Sequence, residues 1–252
     1  MSSATDIPLK VASLAERPDL EEAMLTMDST WPAYIRPDPV LVHWVFERHA
    51  RFQLVVLDEE ERVVARAASV PVSWDGTDAS LPDTGWDGIL RQCVEDTYRG
   101  APLNTLCALE IAVDPHHKAR RLSGRVLDAL KEAGRGAGHG DMIAPVRPSG
   151  KHARPRLSME EYVRHTREDG LPDDPWLRVH VRSGARVVKV CPVSMTISGS
   201  LDQWRGWTGL PLDRSGTVDV PGALSPLRVD TGHDHAVYIE PNVWVHHPLA
   251  RT

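Results

Sequence analysis

The stretch LCALEIAVDPHHKARRLSGRVLDAL, Leu106 to Leu130, constrains this chain more than any other. It reads as a strand, a tight basic turn and an amphipathic helix in immediate succession. Leu106 to Val113 is apolar except for one carboxylate, Glu110, and Asp114-Pro115 ends it because proline brings no N–H to a sheet ladder. Lys118, Arg120 and Arg121 crowd the turn. From Leu122 the apolar residues recur at Val126, Leu127 and Leu130, the spacing of a helix with one buried face. A helix opening directly after such a turn offers unpaired N–H groups and the positive end of its dipole. That combination suits a phosphate or pyrophosphate.

The order Val113, Pro115, Lys118, Ser123, Leu127 resembles the acyl-CoA-binding motif of the GNAT acyltransferase superfamily. The resemblance implies an α/β fold: a mixed, mostly antiparallel central sheet of about seven strands flanked by helices. It also implies that one strand splays from its neighbour and that its exposed backbone, at Ile111, Ala112 and Val113, holds the pantetheine arm. Lys118, Ala119, Arg120, Arg121, Leu122, Ser123 and Gly124 would hold the pyrophosphate. The usual loop carries a central glycine where this chain has Arg121, whose guanidinium either replaces the close backbone contact or obstructs it. The resemblance spans residues 10–150 and, more loosely, 175–250.

Size and charge fit such a protein. At 252 residues the chain can bury a substantial core, and its net charge of −6 argues against duplex nucleic acid as the main partner. The basic residues gather at 116–125 and 147–167, where an anionic co-substrate would find them. Cys93, Cys107 and Cys191 form neither a disulfide framework nor a zinc spacing, and read as buried thiols of a reducing compartment. With no signal pattern and no apolar run of the ~20 residues that span a bilayer, the expected location is cytoplasmic and away from membranes.

The rest of the pattern reads as helices at Asp19–Met27 and Val40–His49, a hairpin of Phe52–Leu57 and Arg62–Val72, and a short helix at Ile89–Tyr98. A strand at Asp141–Arg147 completes a βαβ unit. Helices at Ser158–Arg167 and Trp176–Arg182, a strand at Ala185–Val190 and a closing strand at Val237–His246 follow. The whole, residues 1–252, reads as one domain elaborated by a 148–175 segment and a 200–235 insertion.

Acyl transfer to an amine needs the amine deprotonated, the carbonyl polarised and the leaving thiolate protonated. Glu110 is the expected base, since the family often places a carboxylate there. The family's proton donor is a tyrosine on the late helix, where this chain has His180, an imidazole that titrates near neutrality. Trp31 and Tyr34, between the first two helices, are expected to wall the acceptor pocket, and Arg147 to contact an anionic substrate. His233, His235, His246 and His247 lack a further ligand at a recognisable spacing, so no metal is expected.

The reading is an N-acyltransferase that moves an acyl group directly from acetyl-CoA or another acyl-CoA, used as co-substrate, to a primary amine of a small molecule. No tightly bound cofactor is implied, and a homodimer stays open. Two rivals are a donor carried on a carrier protein or as aminoacyl-tRNA, engaged by the 147–156 basic residues, and an inactive GNAT-fold module that only binds ligand.

Overall fold

Apolar runs of period two alternate with helical spacings along the chain, and in three dimensions the runs pair into one sheet with helices on both faces. The computed structural model describes residues 10–29, 31–120 and 122–249, leaving aside the side chains of 118–120. Its strands are β1 (Lys10–Ser13), β2 (Gln53–Leu57), β3 (Val63–Val72), β4 (Thr105–Val113), β5 (Asp141–Val146), β6 (Arg186–Gly199), β7 (Gly216–Val218), β8 (Leu227–Asp230) and β9 (His235–Pro248). Its helices are α1 (Glu21–Thr26), α2 (Pro39–Arg48), α3 (Gly85–Arg99), α4 (Leu122–Gly136), α5 (Met159–Tyr162), α6 (Pro175–Arg182) and α7 (Leu201–Thr208).

The sheet runs β1-β2-β3-β4-β5-β9-β8-β7, with β6 on the other edge of β9. Every pairing is antiparallel except β4 with β5, which α4 connects. The mixed, mostly antiparallel α/β architecture is the expected one. The described residues hold nine strands, however, not about seven. The two additional strands, β7 and β8, lie within residues 200–235; β8 pairs with the start of β9, and β7 pairs with β8.

Two apolar layers flank the sheet. On one face Leu122, Val126, Leu127 and Leu130 of α4, all 2% exposed or less, pack with Leu177 of α6 against β4, β5 and β9. Each such side chain contributes roughly 1.5–3 kcal/mol by leaving water. On the other face Met24 of α1, Val45 and Phe46 of α2 and Ile89, Leu90 and Cys93 of α3 pack against Cys107, Leu109 and Ile143. A third cluster, around Tyr34, Trp204 and Tyr238, belongs to the C-terminal elaboration. The three cysteines are free and buried.

Local chemistry sets most element ends. Asp38 and Asp174 accept hydrogen bonds from the first N–H groups of α2 and α6, each with proline at the first helical position. α7 opens on a capping box of Ser200 and Gln203. The expected helix over 158–167 stops at Tyr162, because the chain then folds back on itself: Asp173 N–H donates to the His165 carbonyl and Arg167 N–H to that of Leu171. Lys151, 1% exposed, ties the two elaborations together; its ammonium donates to the carbonyls of Arg154 and Leu224, both at 2.7 Å.

Candidate active site

β4 and β5 start as neighbours and then part. Their register covers Thr105↔Asp141, Leu106↔Met142 and Cys107↔Ile143 and no further, although β4 continues to Val113 and β5 to Val146. The wedge between them opens into a cleft of about 670 Å³. Its walls include Ala108 to Val113 from β4, Ala144 to Val146 from β5 with Arg147 just after it, Leu122 and Ser123 from α4, and Trp176, Val179 and His180 from α6. The N–H of Asp114 bonds the Val64 carbonyl on β3. By the alternation of a strand, the backbone groups of Val113 and Ile111 therefore point the other way, into the cleft.

A bulge decides where Glu110 sits. Against β3 the register passes from Ala68↔Glu110 to Ser69↔Ala108, which leaves Leu109 as an extra residue. Ala108 lies on the α4 face, and so do Ile111 and Val113, so the alternation inverts across the bulge. Glu110 is thereby turned to the opposite face, beside Ala68 and α1. The Leu109 carbonyl is held by the indole N–H of Trp86 at 3.2 Å, and the backbone N–H of Trp86 is held by Ser194 Oγ at 2.9 Å.

Glu110 is paired with Arg66, whose Nη2 lies 3.0 Å from Oε1. The same guanidinium donates to the carbonyls of Met24 and Met27 at the end of α1. Oε2 of Glu110 makes no hydrogen bond to a described residue, and the side chain is 22% exposed, so one oxygen stays available in the cleft.

His180 lines the cleft. It is 2% exposed, with Nδ1 3.0 Å from Nε2 of His247. Desolvation first, then His247 and Lys131, push its pKa down to about 3. At neutral pH the imidazole is uncharged and carries one N–H proton rather than two. Tyr34 departs from its expected place. It is 2% exposed, packs against Trp204 and Tyr238, donates to the Pro221 carbonyl and does not line the cleft. Its neighbours come from α7 and β9, so Tyr34 is core.

Trp31 and Arg147 both line the cleft, the guanidinium 5.7 Å from the ring centroid. Nε of Arg147 reaches both oxygens of Glu240, at 3.1 and 3.0 Å. Desolvation would lower the Arg147 pKa, but Glu240, with Tyr238 and Tyr34 adding to it, raises it overall. Sequence reading missed Trp86, Arg66, Glu240 and Asn242. Glu240 carried a usable signal, a lone carboxylate inside the apolar run AVYIEPNVWV, which is the same feature that singles out Glu110.

The proposed phosphate cradle is described in part. Leu122 and Ser123 line the cleft, and Gly124 has open space where a Cβ would stand. Pro115–Arg120 forms a 3-10 stretch, Arg121 lies outside the described residues, and so do the side chains of Lys118, Ala119 and Arg120. The late histidines are engaged elsewhere: His246 bonds Asp141 at 2.6 Å and His233 bonds Asp230 at 2.9 Å. No helix among the described residues is long and apolar enough to cross a membrane.

No family model matches the chain. It is 35% identical over 269 aligned residues to the arginine N-acetyltransferase avaD of Aspergillus versicolor, covering 93% of this chain and 92% of that protein. Its fold is similar to the loading GNATL domain of CurA from Lyngbya majuscula, with a TM-score of 0.62 at 15% identity over 96% of this chain and 97% of that one. It is also similar to the GphF GNAT-like decarboxylase in complex with isobutyryl-CoA, with a TM-score of 0.58 at 17% identity over 96% of this chain and 100% of that one. A sheet splayed at β4 and β5, together with this identity over nearly the whole of both chains, makes the protein a member of the GNAT superfamily of N-acetyltransferases, an acyl-transferring enzyme.

Proposed function

We propose that this enzyme transfers an acyl group from acyl-CoA, acetyl-CoA first among the donors, directly to a primary amine of a small molecule. The observation that carries the proposal is Glu110: a carboxylate with one uncommitted oxygen, turned by a bulge into the mouth of a wedge whose β4 edge is unpaired. In the proposed reaction the amine nitrogen attacks the thioester carbonyl carbon and Glu110 takes the N–H proton. The tetrahedral intermediate then collapses, the C–S bond breaks, and the CoA thiolate takes a proton from water. The Ile111 and Val113 backbone would hold the pantetheine arm, and the start of α4 would hold the pyrophosphate. The arginine N-acetyltransferase relative makes arginine the first acceptor to assay.

The test is CoA release and a mass gain of one acyl group on the acceptor, with wild type and Glu110→Gln. Glutamine keeps a carbonyl for Arg66 and loses the base, so turnover should fall about 10²–10⁴-fold at pH 7 with acyl-CoA affinity preserved. An unchanged rate and an unchanged pH–rate profile would remove Glu110 from the chemistry.

A further inference from the structure

We propose that Arg147 is a carboxylate clamp, and that the amine this cleft accepts therefore carries a carboxylate, as an α-amino acid does. The inference rests on the acyl-transfer reading and narrows its substrate class.

Glu240 is the base plate. It is 0% exposed and sits on β9, and its acceptor positions are filled by protein groups. Beyond Arg147 Nε, it takes Tyr238 Oη at 2.8 Å and Asn242 Nδ2 at 3.2 Å. Tyr238 in turn accepts the Leu224 N–H at 2.8 Å. A carboxylate so enclosed has no freedom to follow a ligand, and it fixes the guanidinium laid against it.

Arg147 itself is only half used. Nε is on Glu240 and Nη2 on the Gly222 carbonyl, while Nη1, which bears two N–H donors, has no hydrogen bond to any described residue. It is not among the buried atoms left unsatisfied either, so it keeps accessible surface on a residue that lines the cleft. Such a donor pair is hydrated at no cost and can exchange that water for the oxygens of a ligand. Held rigid on one edge and free on the other, it matches the planar oxygens of a carboxylate.

Its placement suits a substrate that is charged at both ends. Glu110 is turned to the α1 face by the bulge, and Arg147 meets Trp31, which stands between α1 and α2. An amino acid would put its amine toward the free oxygen of Glu110 and its carboxylate on Nη1 of Arg147. Neither end then displaces an existing ion pair, since Arg66 keeps Oε1 of Glu110 and Glu240 keeps Nε of Arg147.

The experiment uses amino acids beside their decarboxylated amines: arginine and agmatine, lysine and cadaverine, tryptophan and tryptamine, each with acetyl-CoA. For the pair that is turned over, wild type should favour the carboxylate-bearing member by about 10- to 100-fold in kcat/KM, mostly through KM. Arg147→Lys should remove most of that preference, lowering kcat/KM for the carboxylate-bearing member far more than for the decarboxylated amine. Equal use of both members by wild type would overturn the clamp, and so would Arg147→Lys lowering both to the same degree. Should that variant fail to fold, the wild-type comparison still decides. If no amine is acetylated, the transfer reading itself has failed. The clamp is then judged by calorimetry without donor, where agmatine binding as tightly as arginine would refute it.

Discussion

Acidification from pH 7 to pH 5 should weaken the fold by an amount the histidines set. His49 is 8% exposed, and desolvation, with Arg48 and Arg51 adding to it, pushes its pKa from 6.5 down to about 4. The unfolded chain takes up a proton near 6.5 that the native state refuses. Stability is therefore complete above that value and falls as the pH drops toward 4. The slope is about 1.4 kcal/mol per pH unit, which gives about 2 kcal/mol at pH 5. His180 and His247 are displaced the same way, to about 3 and about 4, desolvation being the largest cause for each. Unfolded, each takes up its own proton near 6.5, and at pH 5 the native pair holds neither, so the pair contributes on the order of another 4 kcal/mol. A loss of about 6 kcal/mol is a large part of a domain's usual 5–15 kcal/mol. Urea unfolding followed by tryptophan emission should show the midpoint falling by about 2 M, with m near 3 kcal/mol/M. His49→Gln should remove about a third of the pH dependence. A midpoint that stays level between pH 7 and 5, or an identical slope in the variant, would refute the reasoning.

Gly85→Ala should destabilise by about 3 kcal/mol or more, measured by the same unfolding assay, because Gly85 has φ +40° and an added Cβ would lie 2.9 Å from Ser194 Cα. Leu130→Ala, at a fully buried position of α4, should cost about 2–5 kcal/mol; a change below 1 kcal/mol would mean that the helix does not pack as described.

The strand–turn–helix unit was legible because its signals are local: Asp114-Pro115 ends β4, and Leu122, Val126, Leu127 and Leu130 mark the buried stripe of α4. Glu110 was visible as a carboxylate in an apolar run. Its partner Arg66, 44 residues away, was not, since pairing across strands depends on register. The bulge at Leu109 leaves no trace in an apolar sequence, yet it chooses the face Glu110 occupies. Tyr34 was misread for a similar reason. Its burial comes from Trp204 and Tyr238, residues of late elements whose return to the loop after α1 no local pattern announces. His180 was visible as a titratable group just before Gly184, but the burial that lowers its pKa, with His247 of β9 adding to it, was not. The strand total rose from seven to nine because β7 and β8 are three and four residues long, too short to show a period among the glycines and prolines around them.

The buried ammonium of Lys151 carries a practical consequence for anyone who would trim this enzyme to a minimal version. Its positive charge is balanced by peptide dipoles, one of them at Leu224, far along the chain. Excising 200–235 would strip that dipole from a cation already pressed by desolvation, and would free the 148–157 backbone from its anchor at the same stroke. One ammonium thus joins residues 151–154 to the loop at Leu224, and any shortened enzyme would need an uncharged residue at position 151 as well.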